Sequence, residues 1–169
     1  MNRRTALTLL AGAPLMTANP AAAQTTGAST DLAAVQAWCD RCVAAWAAGD
    51  GPAMYAGDAE ALEWINIVGM HWRGKADVVA AHERYLTTMF RGVPMSLREI
   101  ETLRPIGRDG VVAVVRWSVG QFTTPTGHVI PPSEDRMTLV FERDADALRL
   151  LHGANVQIDP VAAASDPIS

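Results

Sequence analysis

The pattern of apolar and polar positions divides the chain into a helical N-terminal part and a C-terminal part rich in strands. Apolar residues at steps of three and four predict a first helix, and they are Leu32, Val35, Cys39, Cys42 and Trp46. Thr30-Asp31 is a plausible N-cap for this helix, and Gly49 ends it. A short second helix is expected around residues 52–56.

A strand, a tight hairpin and a third helix are predicted next. Residues 62–68 alternate as a strand does, and one face carries Leu62, Trp64, Asn66 and Val68. Residues 69–74 then predict a turn or hairpin, and residues 75–90 predict a helix. One face of that helix carries Val78, His82, Tyr85 and Met89.

Four strand-like segments follow, at residues 96–104, 111–123, 133–143 and 147–158. Their separators contain Gly, Asp and Pro, and short turns between consecutive strands indicate antiparallel pairing. Because the helices come first and the strands later, the pattern predicts an α+β fold. We expect a strongly curved antiparallel sheet packed against N-terminal helices, which together enclose a pocket.

Residues 1–23 predict an export signal. Arg3 and Arg4 precede a weakly apolar stretch, and small residues at 21–23 suit a cleavage site. The arginine pair resembles a twin-arginine signal, and the general secretory route remains an alternative. We therefore expect a periplasmic or secreted protein with a flexible lead-in at residues 24–30, a single domain at 31–158 and a flexible tail at 159–169.

Composition narrows the classes of function. The 169 residues are 49% apolar, and their formal net charge is −4. This composition is typical of a globular domain, and the absence of a basic stripe argues against nucleic-acid binding. Since no apolar run is long enough to span a bilayer, no membrane partner is expected after removal of the signal.

The sequence contains no pattern typical of a cofactor or metal site. Motifs for dinucleotides, phosphate loops, nucleophile elbows and zinc proteases are absent, and the four histidines lack metal-ligand spacing. Cys39 and Cys42 form a C-x-x-C pair within a helical pattern. They are interpreted as small buried residues, with a redox pair or a metal site as alternatives.

Several polar or aromatic residues are candidates for the pocket. His82 lies on an apolar helix face, where an imidazole can exchange protons near neutral pH or serve as a partnered core residue. Asn66 could hold a ligand carbonyl or hydroxyl, or bond to the hairpin or to Asn155. Trp64 and Trp72 would form flat apolar walls of either a pocket or an ordinary core.

Charged residues of the strands have two interpretations. Arg116 and Arg136 would clamp a carboxylate or phenolate if they faced the cavity, and would form ion pairs on a solvated face. Glu134 and Asp135 beside Arg136 favour the ion pairs, and the later strands offer no obvious inward aspartate. Asp58 could act as a general base, although a capping role is more typical.

Short motifs connect the chain to a known superfamily. They are Trp46-x-x-Gly49-Asp50, the block Trp64-Ile65-Asn66-Ile67-Val68-Gly69-Met70-His71-Trp72-Arg73-Gly74, Ala81-His82, Phe90-Arg91-Gly92 and Asn155-Val156-Gln157-Ile158. Across roughly residues 31–158 the sequence resembles the nuclear transport factor 2-like superfamily, and more closely its SnoaL-like group known as the SgcJ/EcaC family.

The resemblance implies a dimeric cone with a mostly apolar pocket. Relatives in the superfamily include ketosteroid isomerase, polyketide cyclases, dehydratases and members that only bind. Two departures matter: Leu148 stands where such sequences commonly carry Trp, and Ala154 stands where a His commonly precedes Asn155. His152, two residues earlier on the same strand face, could line the same pocket without occupying that position.

These observations lead to one main hypothesis and its alternative. The main hypothesis is an exported homodimer that binds a small apolar or aromatic molecule and catalyses cofactor-independent proton transfer, with His82 as acid–base. The ligand-binding residues would be Trp64, Asn66, Trp72, Tyr85, Arg116 and Asn155. The alternative is a binding or protein-interaction module of the same fold that performs no chemistry.

Overall fold

The computed structural model describes residues 20–145 and 147–168, with side chains from residue 29 onward. Most of the predicted export signal, residues 1–19, lies outside the described residues. The described part forms four helices, which are α1 (Pro20–Ala48), α2 (Gly51–Met54), α3 (Lys75–Thr87) and α4 (Pro160–Ala163). It also forms eight strands, which are β1 (Glu63–Ile65), β2 (His71–Arg73), β3 (Met95–Ile106), β4 (Gly110–Val119), β5 (Phe122–Thr123), β6 (Val129–Ile130), β7 (Ser133–Asp144) and β8 (Ala147–Gln157).

Six strands form one curved sheet in the order β2-β1-β8-β7-β4-β3, and β5 pairs with β6 as a separate hairpin. The predicted α+β fold, a curved sheet with N-terminal helices, is confirmed. One pairing differs from the expectation of an antiparallel sheet, because β1 and β8 run parallel and place Trp64 opposite Gly153. A side chain at Gly153 would overlap the Trp64 ring, so glycine permits this close approach.

The centre of the sheet supplies the core. Along β4, alternate residues are fully or almost fully buried, and they are Val111, Ala113, Val115, Trp117 and Val119. Most of these side chains pack in one core with Val35, Trp38, Cys39 and Cys42 of α1. The period of two predicted for these strands therefore determines which face of the sheet the helices cover.

Helix α1 differs from its prediction at the N-terminal end. It begins at Pro20 and continues through residues 24–30, which the sequence predicted as a flexible lead-in. Leu32, predicted for the apolar stripe, is 48% exposed, while Trp38, which the predicted stripe did not include, is 3% exposed and packs in the core. The helix is oriented by Asp31, whose buried carboxylate forms a 2.6 Å ion pair with Arg143 on β7.

The two cysteines of α1 are free thiols buried in the core. Burial raises the pKa of Cys39 to about 12 and also raises that of Cys42. Since the reactive form of cysteine is the thiolate, these positions favour the interpretation as small buried residues over a redox pair.

The predicted strand at residues 111–123 is interrupted at Gly120. The backbone N–H of Gly120 donates to the carbonyl oxygen of Pro94 at 2.8 Å, and a Cβ there would lie 2.7 Å from Cδ of Pro94. The chain leaves β4 at this point and forms the β5–β6 hairpin. No helix within the described ranges has both the length and the apolar character needed to cross a membrane.

Candidate functional site

A cavity of about 390 Å³ lies between α3, the β1–β2 hairpin, the β5–β6 hairpin and the concave face of the sheet. Its aromatic walls are formed by Trp46, Trp64, Trp72, Tyr85, Phe90 and Phe122. Polar groups are few, and they include Asn66, His82, Asp135 and Asn155. A mostly apolar cavity with a small number of polar groups is typical of a small-molecule site.

His82 projects from α3 into a cluster of aromatic rings. Its ring centroid lies 5.1 Å from that of Tyr55, 5.2 Å from that of Trp64 and 5.3 Å from that of Trp72. The Trp64 and Trp72 rings meet the imidazole edge-on, at interplanar angles of 89° and 83°. His82 therefore forms part of the aromatic wall that it was predicted to face.

The polar contacts of the His82 ring come from Val78 and Tyr55. Nδ1 lies 2.9 Å from the carbonyl oxygen of Val78, which can only accept, so Nδ1 carries the hydrogen. The hydroxyl of the fully buried Tyr55 lies almost equidistant from the two ring nitrogens, 3.1 Å from Nε2 and 3.2 Å from Nδ1. Burial lowers the pKa of His82 from 6.5 to about 4. A buried, neutral imidazole whose Nδ1 is bonded to the backbone suits a structural role better than the predicted acid–base role.

Asn66 lines the cavity and also organises the β1–β2 hairpin. Its side-chain oxygen accepts hydrogen bonds from the backbone N–H groups of Val68 at 3.1 Å and Met70 at 2.8 Å. This is the hairpin bond that the sequence analysis gave as the alternative role for Asn66. The amide Nδ2 group has no acceptor in the described part of the chain, so it is the group that a ligand could use.

Asp135 and Asn155 form the most unusual polar pair of the cavity. Asn155 Nδ2 donates to Oδ2 of Asp135 at 3.2 Å, and Asp135 is only 5% exposed. The other carboxylate oxygen of Asp135 and the amide oxygen of Asn155, Oδ1 in both cases, are buried and have no hydrogen-bond partner among the described residues. Burial raises the pKa of Asp135, and the bond from Asn155 opposes this effect.

Asp135 is an inward-facing residue that was not among the predicted site residues. Its strand nevertheless carries the signal, because Asp135, Met137, Leu139 and Phe141 follow at steps of two, and the last two are fully or almost fully buried. The flanking Glu134 and Arg136 suggested surface ion pairs, and those two do lie on the other face. The expectation of no inward aspartate in the later strands was wrong.

The assignment of Arg116 to the pocket is corrected by the structure. Arg116 lies on the face of β4 opposite to Trp117, where its guanidinium contacts Glu99 at 2.9 Å, Glu101 at 3.1 Å and Glu134 at 3.0 Å. Arg136 lies on the same outer face and bonds to Glu101. The strand alternation turns both guanidinium groups away from the cavity, which is the surface ion-pair alternative of the sequence analysis.

Two other candidates lie away from the cavity. Asp58 is 4% exposed, and its carboxylate accepts from Nε1 of Trp38 at 3.1 Å and from the backbone N–H of Leu150 at 3.2 Å. It joins α1 to β8 and has a structural role. His152 lies opposite Val140 in the β7–β8 pairing, and because it stands three positions before the inward-facing Asn155, strand alternation places it on the face away from the cavity.

The remaining predicted residues do meet in one place. Trp64, Trp72 and Tyr85 all line the cavity, with the Trp72 and Tyr85 ring centroids 6.1 Å apart. The Tyr85 hydroxyl donates to the sulfur atom of Met70, another residue of the cavity wall, at 3.6 Å. In the described ranges, no three His, Cys, Asp or Glu side chains are grouped in a way that could hold a metal ion.

Comparison with known proteins identifies solved structures that share this fold. No protein-family model matches the chain, and no curated protein matches it significantly. An uncharacterized protein with a cystatin-like fold from Caulobacter vibrioides is 33% identical, with a TM-score of 0.76 over 82% of this chain and 96% of that chain.

Two more distant structures share the fold. A nuclear transport factor 2-like protein with a cystatin-like fold from Novosphingobium aromaticivorans is 19% identical, with a TM-score of 0.65 over 89% of this chain and 96% of that one. A ketosteroid isomerase-like protein from Erwinia carotovora is 19% identical, with a TM-score of 0.60 over 77% of this chain and 98% of that one. The chain belongs to the same family as the Caulobacter protein, and its fold is the cystatin-like, nuclear transport factor 2-like one.

Proposed function

We propose that the protein binds a small apolar or aromatic molecule in the cavity and that Asp135 transfers a proton to or from it. The reaction class is cofactor-independent isomerisation, cyclisation or dehydration. The observation that carries this proposal is a buried carboxyl group at the cavity wall with one oxygen left without a protein partner.

The environment of Asp135 supports a proton-transfer role. A carboxyl group in water is almost always ionised at neutral pH, and burial raises the pKa of this one toward the range where it can exchange protons. Asn155 fixes the orientation of the carboxyl group through the 3.2 Å bond to Oδ2. The Nδ2 group of Asn66 is placed to hold a ligand oxygen, which is the positioning role predicted for that amide.

This assignment moves the acid–base role from His82 to Asp135. His82 keeps the aromatic wall in place, since its Nδ1 is bonded to Val78 and its ring contacts the Tyr55 hydroxyl. The fold similarity to a ketosteroid isomerase-like protein supports proton transfer as a chemistry that such cavities accommodate. Export of the chain, its assembly as a homodimer and a closer relation to the SgcJ/EcaC family remain parts of the proposal.

The test uses 2-tetralone, an aromatic ketone with exchangeable protons beside its carbonyl group. Proton NMR in deuterium oxide would follow the loss of these protons with and without the protein. We expect wild-type protein to accelerate exchange over buffer and Asp135→Asn to reduce that acceleration by at least about 100-fold. The matched control is Glu134→Gln, which removes the neighbouring carboxylate from the opposite face and should leave exchange unchanged.

A non-catalytic binding module is the second candidate, and a specific observation favours it. Within the described cavity wall Asp135 is the only carboxyl group, whereas a proton relay of the ketosteroid-isomerase type needs a second acid. Saturable binding of 2-tetralone with no acceleration of exchange would support this candidate and would contradict the catalytic role of Asp135.

A further inference from the structure

The unpartnered polar atoms of the cavity point to a class of ligand, an inference that rests on the proposed function. We propose that the ligand is an apolar amine, bound as an ammonium cation whose N–H groups donate to Asp135 and Asn155. Its hydrocarbon part would lie against the aromatic walls, and its cationic nitrogen would lie at the β7–β8 side of the cavity.

Two hydrogen-bond acceptors in the cavity wall lack a donor among the described residues. Oδ1 of Asp135 and Oδ1 of Asn155 are both acceptors, and both are buried without a donor from the described chain. The Asn155 Nδ2 group donates to Oδ2 of Asp135 and to neither of these two oxygens. A ligand hydroxyl has one hydrogen to donate, whereas a primary or secondary ammonium group has at least two.

The charged groups that line the cavity also favour a cationic ligand. Neither Lys nor Arg contributes to the described cavity wall, and His82 is neutral at pH 7. The cations on the neighbouring strands, Arg116 and Arg136, bind glutamates on the outer face. An anionic ligand would bring a second negative charge beside Asp135, while an ammonium ion would compensate the buried carboxylate.

The apolar wall of the cavity is largely aromatic, which also favours a cation. Trp64, Trp72, Tyr85 and Phe90 line the same cavity as Asp135. Aromatic rings attract cations through their quadrupole, and the attraction increases where water is excluded. A carboxylate together with aromatic rings therefore favours an organic cation over a neutral molecule of the same shape.

The experiment compares three probes that share one ring system: 2-naphthylmethylamine, 2-naphthalenemethanol and 2-naphthoic acid. Isothermal titration calorimetry at pH 7.5 would measure the Kd of each for the full-length protein. We expect the amine to bind at least about tenfold more tightly than the alcohol, and the acid to bind most weakly. Asp135→Asn should remove the preference for the amine and change the Kd of the alcohol by less than about twofold.

Two further variants keep the test decisive. Asn155→Ala removes one acceptor and should weaken the amine more than the alcohol, while Glu134→Gln on the outer face should change neither. Equal affinity of amine and alcohol, or tighter binding of the acid, would overturn the amine inference and leave the proposed function intact. Failure of all three probes to bind would instead overturn the proposed function and this inference with it.

Discussion

The Tyr55 hydroxyl group lies 3.1 Å from Nε2 of His82, and Tyr55 is fully buried behind the cavity wall. Nδ1 of the same imidazole is bonded to the Val78 carbonyl oxygen. Because Tyr55 and His82 come from different elements, this bond ties the segment after α2 to α3. Burial of the ring among these residues holds the histidine in the neutral form.

That neutrality predicts a specific loss of stability in acid. The pKa of His82 is lowered by burial from 6.5 to about 4, so between these values the unfolded chain binds a proton that the folded protein does not. His82 therefore lowers the free energy of unfolding by up to about 3 kcal/mol as the pH falls through this window. Urea unfolding at several pH values should show this component in wild-type protein and not in His82→Gln. Parallel pH profiles for the two proteins would contradict it.

Asp135 predicts the opposite dependence on pH. Its pKa in the folded protein is raised by burial, so its contribution to stability is full below the unfolded value and is lost as the pH rises through the folded value. Asp135→Asn removes this loss, because the amide stays uncharged at every pH in this range. We expect the variant to be more stable than wild type at pH 8, by about 1 kcal/mol, with the difference vanishing near pH 4.

The measurement for Asp135→Asn is the midpoint of chemical unfolding at pH 4 and pH 8, together with tetralone exchange. A gain in stability accompanied by a loss of exchange is typical of a residue kept for function. A variant that was less stable than wild type at pH 8 would show that the carboxylate has a structural partner and would contradict our description of the site.

Asp58 provides the matched comparison within the same molecule. It is also a buried carboxyl group with a pKa raised by burial, but it accepts hydrogen bonds from Trp38 and from Leu150 and pairs with Arg41 at 3.3 Å. Asp58→Asn replaces one accepting oxygen with a donor and leaves these groups unmatched. We expect it to lower the free energy of unfolding by about 2–3 kcal/mol at pH 7, measured by the same method.

Gly153 tests the parallel pairing of β1 and β8. A Cβ at this position would overlap the Trp64 ring, which is 3% exposed and cannot move aside without opening the core. Gly153→Ala should therefore lower the free energy of unfolding by about 2–3 kcal/mol and reduce ligand binding, since Trp64 lines the cavity. Ala154→Ser, on the next residue and the opposite face, is the control and should change stability by less than about 0.5 kcal/mol. If Gly153→Ala were as stable as wild type, the described pairing would be contradicted.

Local sequence patterns predicted most of the helices and strands and the aromatic residues of the site. The helical stripe predicted α3 with His82 and Tyr85 on one face, and both residues line the cavity. The alternation of residues 133–143 and 147–158 predicted β7 and β8 close to their observed bounds. Such features depend on neighbours three, four or two positions apart, which the sequence displays directly.

Features that depend on distant contacts were not predictable in the same way. Whether His82 could act as an acid–base depended on its burial among distant rings, and whether Asp58 was structural depended on Leu150, 92 residues away. Which face of β8 meets the cavity, and so whether Asn155 or His152 lines it, depended on how β8 packs in the sheet. Asp135 had the correct alternation, but its flanking charges gave an equally good local explanation.

By itself, the sequence determined the α+β class, the order of the elements and the aromatic character of one helix face and one strand face. Only the tertiary structure decided that Arg116 faces outward, that Asp135 faces inward and that one oxygen of Asp135 has no partner within the described chain. The physical reason is that periodicity defines the faces of an element, whereas the surroundings of a charged group are set by segments far away in sequence. Burial and hydrogen bonding control its chemistry, and both arise only when those segments meet.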